Sequence, residues 1–203
     1  ALSGAGRSLR GLSCGSGTMA AQLAPDGWNI SGVDPSTAGI ATANQDYPQL
    51  DLQLGSAYED LAARFGQFDR IISLEVVEHV YAPRDWARTL FNLTAPGGMA
   101  VVSTPYHGYL KNLAIALAGG FDTHFTALWD HGHIKFWSER SLGTLLVEAG
   151  FRDLEFVRVG RIPPLAKTMW RGRKMRSVPS LRFRCAVQRL ADSSQVPLVN
   201  SVL

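Results

Sequence analysis

The sequence predicts an open, mostly parallel α/β sheet with helices on both faces. Three observations carry this. Apolar runs of strand length alternate with helical patterns along most of the 203-residue chain. A glycine-rich turn, with Gly15 and Gly17, closes the first apolar run. An acidic residue, Asp34, closes the second.

SLRGLSC (residues 8–14) reads as a short strand entering the glycine-rich turn, and residues 18–23 as a helix start. WNISGVD (28–34) is a second strand. Residues 35–44 are Ala-rich and helical, with Pro35 suited to a first helical position. LDLQLGS (50–56) alternates apolar and polar residues, which predicts a third strand, and residues 58–64 predict a short helix. FDRIISL (68–74) is apolar enough for a buried strand. Over residues 83–93, Trp86, Leu90 and Leu93 share a helical face. GGMAVVSTP (97–105) is a fifth strand after the turn Leu93-Thr94-Ala95-Pro96-Gly97-Gly98, and Pro105 ends it where no ladder donor is needed.

Residues 106–133 break the rhythm with Tyr106, Tyr109, Phe121, Phe125, Trp129 and several histidines. Leu110, Leu113, Ala114 and Leu117 can line one face of a short helix there. A capped helix is predicted over 138–150, with Ser138 as N-cap, Leu142, Leu145 and Leu146 inward and Gly150 as the stop. Residues 154–162 read as a strand and 163–177 as a basic connector. LRFRCAV (181–187) sets apolar residues against Arg182 and Arg184, the pattern of a half-buried antiparallel strand.

Composition narrows the function classes. With 46% hydrophobic and 18% charged residues most of the chain is neither disordered nor low in complexity. No run of 18 apolar residues suggests a membrane span, and the first ten residues lack the apolar core of a secretion signal. Cys14 and Cys185 make no disulfide framework, so a reducing, cytoplasmic setting is expected. The net charge of +3 hides a division. Residues 1–149 hold 9 Lys and Arg against 14 Asp and Glu, a net −5; residues 150–203 hold 11 against 3, a net +8. The segment PLAKTMWRGRKMR (164–176) mixes five cations with Leu165, Met169 and Trp170. That mixture suits peripheral contact with an anionic membrane, a solvated loop being the alternative. Without an interleaved aromatic platform, no nucleic-acid partner is expected.

Four motifs sit at strand ends, where ligands bind in such sheets. Ser13-Cys14-Gly15-Ser16-Gly17-Thr18-Met19-Ala20 allows a tight turn and close approach of a ligand to backbone. Asp34, 19 residues after Gly15, can accept both hydroxyls of a ribose or cap the next helix. Gly55-Ser56-Ala57-Tyr58-Glu59-Asp60 offers backbone N–H groups and a flat slot to an adenine, with Glu59 or Asp60 toward its amino group. In Leu74-Glu75-Val76-Val77-Glu78-His79-Val80, Glu75, Glu78 and His79 share a face if the turn is helical. They can form a mixed oxygen and nitrogen metal site, His79 can act as a general base, or the group fixes the turn.

Together these motifs resemble the class I S-adenosylmethionine (SAM) dependent methyltransferases, nearest to the ubiquinone-biosynthesis O-methyltransferase type. The resemblance runs over roughly residues 8–187 and includes FDRIISLEVVEHV, the APGG turn and HGHIKFWSERSL. It implies a Rossmann-like seven-stranded sheet with the last strand antiparallel, in one domain over 1–190 with a lid at about 106–133 and a tail at 191–203. It implies SAM binding at Ser13, Cys14, Gly15, Gly17, Asp34, Ser56, Ala57, Leu74 and Glu75. It also implies a divalent cation such as Mg at Glu75, Glu78 and His79. The acceptor expected is a small apolar hydroxylated molecule, a quinol or phenol, lipid or glycan-linked. His79 is the first candidate base, with His131 and His133 beside it. Two departures stand out: Gly11 replaces the family's acidic residue and Ser13 its first glycine. Gly15, Gly17, Ala20 and Asp34 also satisfy a nicotinamide-dinucleotide fingerprint, so an NAD(P)-dependent oxidoreductase is one alternative. A catalytically degenerate binding module on the same fold is the other.

Overall fold

Apolar segments from both ends of the chain meet in one sheet, and the strand ends bring the sequence motifs together. The computed structural model describes residues 8–13, 15–24, 28–159 and 167–173. Five strands and four helices alternate first: β1 (Ser8–Leu12), α1 (Thr18–Leu23), β2 (Asn29–Asp34), α2 (Thr37–Asp46), β3 (Asp51–Leu54), α3 (Leu61–Phe65), β4 (Phe68–Leu74), α4 (Pro83–Leu93) and β5 (Thr94–Thr104). The helices α5 (Tyr109–Leu117), α6 (Phe121–Phe125) and α7 (Glu139–Glu148) follow, then β6 (Arg152–Val159) and β7 (Lys167–Arg173).

The sheet order is β3-β2-β1-β4-β5-β7-β6. Strands β1 to β5 pair in parallel, and β7 runs antiparallel to both β5 and β6. The expected α/β architecture is present, with a core on each face. Leu12, Val33 and Ile71 pack with Trp86, Leu90, Leu93, Leu142, Leu145 and Leu146 on one side. Ile30, Leu52, Ala20, Ile40 and Ala43 pack on the other, with Ile72 against them. Neighbours Ile71 and Ile72 thus serve opposite cores, as strand alternation requires.

Local chemistry sets the helix starts. Ser36, not Pro35, is the cap of α2: its hydroxyl accepts from Gly39 N at 2.9 Å, which leaves Pro35 outside the helix. Asp60 caps α3 in the same way, so that helix begins later than the apolar pattern suggests. Pro83 stands in the first turn of α4, and Ser138 forms a capping box with Ser141 at α7.

The segment Ala95–Gly98 is not a turn ahead of a strand but a bulge inside β5. There β4 advances from Phe68 to Arg70 while β5 advances from Thr94 to Met99. Gly97 takes a φ of 81°, and a Cβ at Gly98 would stand 2.8 Å from the Ala95 carbonyl oxygen. The reversed strand also differs in place. It is Lys167–Arg173, inside the stretch read as a basic connector. Pairing with β5 on one edge and β6 on the other supplies the backbone bonds of this strand, and a high cation content does not announce that. The strand expected at 181–187 lies outside the described residues, as do Cys14, Cys185 and the tail.

Among the described residues Trp86 is the largest fully buried side chain, and its indole N–H meets no acceptor there. Trp86→Ala is expected to lower the unfolding free energy by about 3–5 kcal/mol. Trp86→Phe, which also removes the buried donor, should cost about half of that or less. Denaturant titration of the three proteins measures both.

Candidate functional site

All five parallel strands end on one edge of the sheet, and the motifs gather there. At the end of β1 the backbone turns sharply: Ser13, Gly15 and Gly17 have φ of 62°, 54° and 77°. Ser13 therefore holds a left-handed conformation that a glycine would take at less cost. Gly17 is the N-cap of α1, where a Cβ would meet Leu52 Cδ1 at 2.7 Å. Here the missing side chain lets the helix start pack against β3.

Asp34 is buried and turned onto this loop. Its Oδ2 accepts from Gly15 N at 2.8 Å and its Oδ1 from Ser36 N at 2.9 Å. Burial raises its pKa above the usual carboxylate value, against the lowering effect of these two bonds. The carboxylate thus ties the glycine-rich turn to the start of α2. After β3, Ser56 N donates to Glu59 Oε1 at 3.2 Å and Asp60 caps α3. Both carboxylates read as reaching for an adenine are engaged locally, while Ala57 is buried.

At the end of β4 the chain does not continue as a helix. Glu75 has φ of 55°, which breaks the helical path on which three residues would share a face. Its Oε1 accepts from Ser103 Oγ at 2.8 Å, and its N–H donates to the Ser103 carbonyl at 3.0 Å. The turn after Leu74 is thereby fastened to β5. Glu78 is buried, and Thr104 Oγ1 donates to its Oε2 at 2.9 Å. Trp137 Nε1 donates to the Val77 carbonyl at 3.0 Å, and Ile134 N and Lys135 N both donate to the Glu78 carbonyl at 2.9 Å.

These bonds bring residues 131–137 against the turn. The imidazoles of His79 and His133 meet edge to face with centroids 4.8 Å apart. Glu78, His79 and His133 each offer a ligand atom within 4.8 Å of the others. The structure therefore joins Glu78 and His79 with His133, and directs Glu75 to Ser103. His131 enters through its carbonyl, 3.2 Å from His79 Nδ1. The sequence named His133 as a candidate base, but its place beside Glu78 and His79 was not legible, since 54 residues separate it from His79.

Residues 106–133 follow the end of β5 as an arm that carries α5 and α6. His107, at its base, is buried, and its N–H donates to the Trp137 carbonyl at 2.9 Å. Its ring packs against Phe125, Phe136 and His124, with Lys111 near by. Burial first, then the charge of Lys111, lowers the His107 pKa to about 4. Lys111 donates to the Tyr106 carbonyl at 3.0 Å, and burial lowers its pKa too.

The methyltransferase-domain family profile matches residues 11–155. The chain belongs to that family. A ubiquinone biosynthesis O-methyltransferase of Caulobacter sp. (strain K31) is 36% identical over 118 residues, covering 56% of this chain and 46% of the relative. One from Psychrobacter arcticus is 26% identical over 191 residues, covering 91% of this chain and 72% of that one. The methyltransferase chain thus spans less than half of the Caulobacter relative. An O-methyltransferase family protein from Burkholderia thailandensis has the same fold, with TM-score 0.67, 16% identity, and 86% of this chain and 52% of that chain covered. So has a Haemonchus contortus phosphoethanolamine N-methyltransferase solved with S-adenosyl-L-methionine, with TM-score 0.63 and 14% identity over 84% of this chain and 49% of that chain. The nicotinamide alternative is not favoured by these matches.

One pH dependence follows from His107. Its folded pKa lies below the 6.5 of a free imidazole, so the unfolded chain binds the proton first. Its contribution to stability is complete above pH 6.5 and is lost as the pH falls from there toward 4. The methyltransferase is expected to be less stable at pH 5 than at pH 7.5 by about 1–2 kcal/mol from this group. His107→Phe should flatten that part of the difference, as read by denaturant titration at the two pH values.

Proposed function

We propose that this methyltransferase places the methyl group of SAM on the oxygen of a small, apolar, hydroxylated acceptor. The observation that carries the acceptor chemistry is the convergence of Glu78, His79 and His133 at the end of β4. SAM supplies an electrophilic methyl on a sulfonium, a leaving group needing no activation. The chain then has two tasks: to hold donor and acceptor in line, and to make the oxygen nucleophilic.

The first task falls to the strand-end edge. Asp34 orders the glycine-rich turn through Gly15, and the turn's N–H groups and the start of α1 offer donors to the carboxylate end of SAM. The edges of Ser56, Ala57, Leu74 and Glu75 are the proposed adenine and backbone contacts. The seven-strand order with its reversed strand supports the same reading. The second task falls to His79. A phenol has a pKa of about 10, so an imidazole that takes its proton during attack raises the rate at neutral pH. The oxygen attacks the methyl carbon, the carbon–sulfur bond breaks, and the acceptor proton passes to the base.

The cluster also fits a divalent cation: one carboxylate and two imidazoles within 4.8 Å. Glu78, His79 and His133 would hold it, and it would lower the pKa of an acceptor hydroxyl. Two imidazoles suit manganese, iron or zinc better than Mg.

The expected peripheral contact with an anionic membrane rests on residues 164–176, of which Lys167–Arg173 form β7 between β5 and β6; the apolar surface that supports a peripheral contact lies instead on the arm. No residue of α5 is buried, and Tyr109, Leu110 and Leu117 are 79%, 68% and 81% exposed. Such apolar area on a surface marks a contact site. Among the described residues no helix is long and apolar enough to cross a membrane.

Calorimetry with SAM and with S-adenosylhomocysteine is expected to show binding; none at millimolar ligand sinks the enzyme reading. His79→Ala should lower kcat by about 10²–10⁴-fold and leave the Kd for SAM within about threefold. Co-sedimentation with vesicles should rise with anionic lipid and fall in the Leu110→Glu, Leu117→Glu double variant. Equal sedimentation of both proteins removes the membrane proposal.

A further inference from the structure

His131 combines two features that its imidazole does not explain. Its φ is 62°, in the left-handed region, although the residue carries a Cβ. Its ring is exposed and makes no hydrogen bond, ion pair or ring contact among the described residues. What the conformation achieves is to face the His131 carbonyl toward His79, 3.2 Å from Nδ1. Gly132 N then donates to the Trp129 carbonyl, and Ile134 N and Lys135 N reach the Glu78 carbonyl. His133, between these anchors, returns to the His79 ring.

A carbonyl oxygen has no proton to donate. The contact is a hydrogen bond only when Nδ1 of His79 carries the hydrogen. In the neutral ring Nε2 is then the nitrogen with the free lone pair, and the partner at one nitrogen decides what the other can do. We propose that His131 is a positioning residue whose main-chain carbonyl, not its imidazole, holds His79 as the Nδ1–H tautomer. Nε2 is thereby left with the free lone pair, ready for a proton or a cation. The inference concerns the resting protein, and it rests on the proposed methyl transfer only for its consequence in turnover.

The test is nitrogen-15 NMR of the His79 ring in the metal-free protein at a pH where the ring is neutral, assigned against His79→Gln. The expected signature is a protonated Nδ1 and an unprotonated Nε2. His131→Gly and His131→Asn keep the carbonyl and tolerate positive φ, so they should keep that signature. His131→Val is β-branched and disfavours the conformation, so the signature should be lost. Where turnover is followed, His131→Val should lose at least about tenfold more kcat than His131→Gly, with the KM for SAM changed less than about twofold. An Nε2–H tautomer in the unaltered protein overturns the inference, as does a His131→Gly variant as impaired as His131→Val. Failure of His131→Val to fold leaves the decision with the unaltered protein and the Gly variant. Lack of turnover with every acceptor would count against the methyl-transfer reading, while the NMR signature still decides the role of His131.

Discussion

The turn at Val77–Glu78, with the buried Glu78 carboxylate, is the junction on which the rest of the site depends. A charged group taken from water is costly unless its surroundings replace the lost solvation. Here Thr104, at the end of β5, donates to its carboxylate. The peptide at the same residue accepts two N–H groups from residues 134 and 135. Trp137 holds the preceding carbonyl. One turn of chain is thus fastened to the neighbouring strand and to a segment more than fifty residues away. His79 and His133 face each other as a consequence of that fastening.

A second buried carboxylate does comparable work on the other side of the edge. Asp34 accepts from the glycine-rich turn and from the start of α2, so the glycine-rich loop is ordered from the neighbouring strand. Asp34 thus supplies ordering from outside the turn itself. Ser13 stores backbone strain in the same loop, a cost that the surrounding bonds must offset.

The arm is built differently. His107, Phe125 and Phe136 pack its base, yet α5 leaves its leucines in solvent. A helix with an apolar face and no core beneath it owes its place to something other than burial within the described chain.

Periodicity in the sequence determined the parallel strands, most of the helices and the division into two cores, because alternation and helical spacing are local properties of the chain. The strand-end motifs were legible for the same reason, since glycines and acids at fixed offsets are local too. The bulge at Ala95–Gly98 and the strand at Lys167–Arg173 were not, because pairing with distant neighbours decides them. Tertiary structure alone decided the make-up of the site. A positive φ at Glu75 sent that carboxylate to Ser103, and backbone bonds to Glu78 brought His133 into its place. Residues remote in sequence become neighbours only when the folded backbone must satisfy its hydrogen bonds, and no local pattern records which partners it will find.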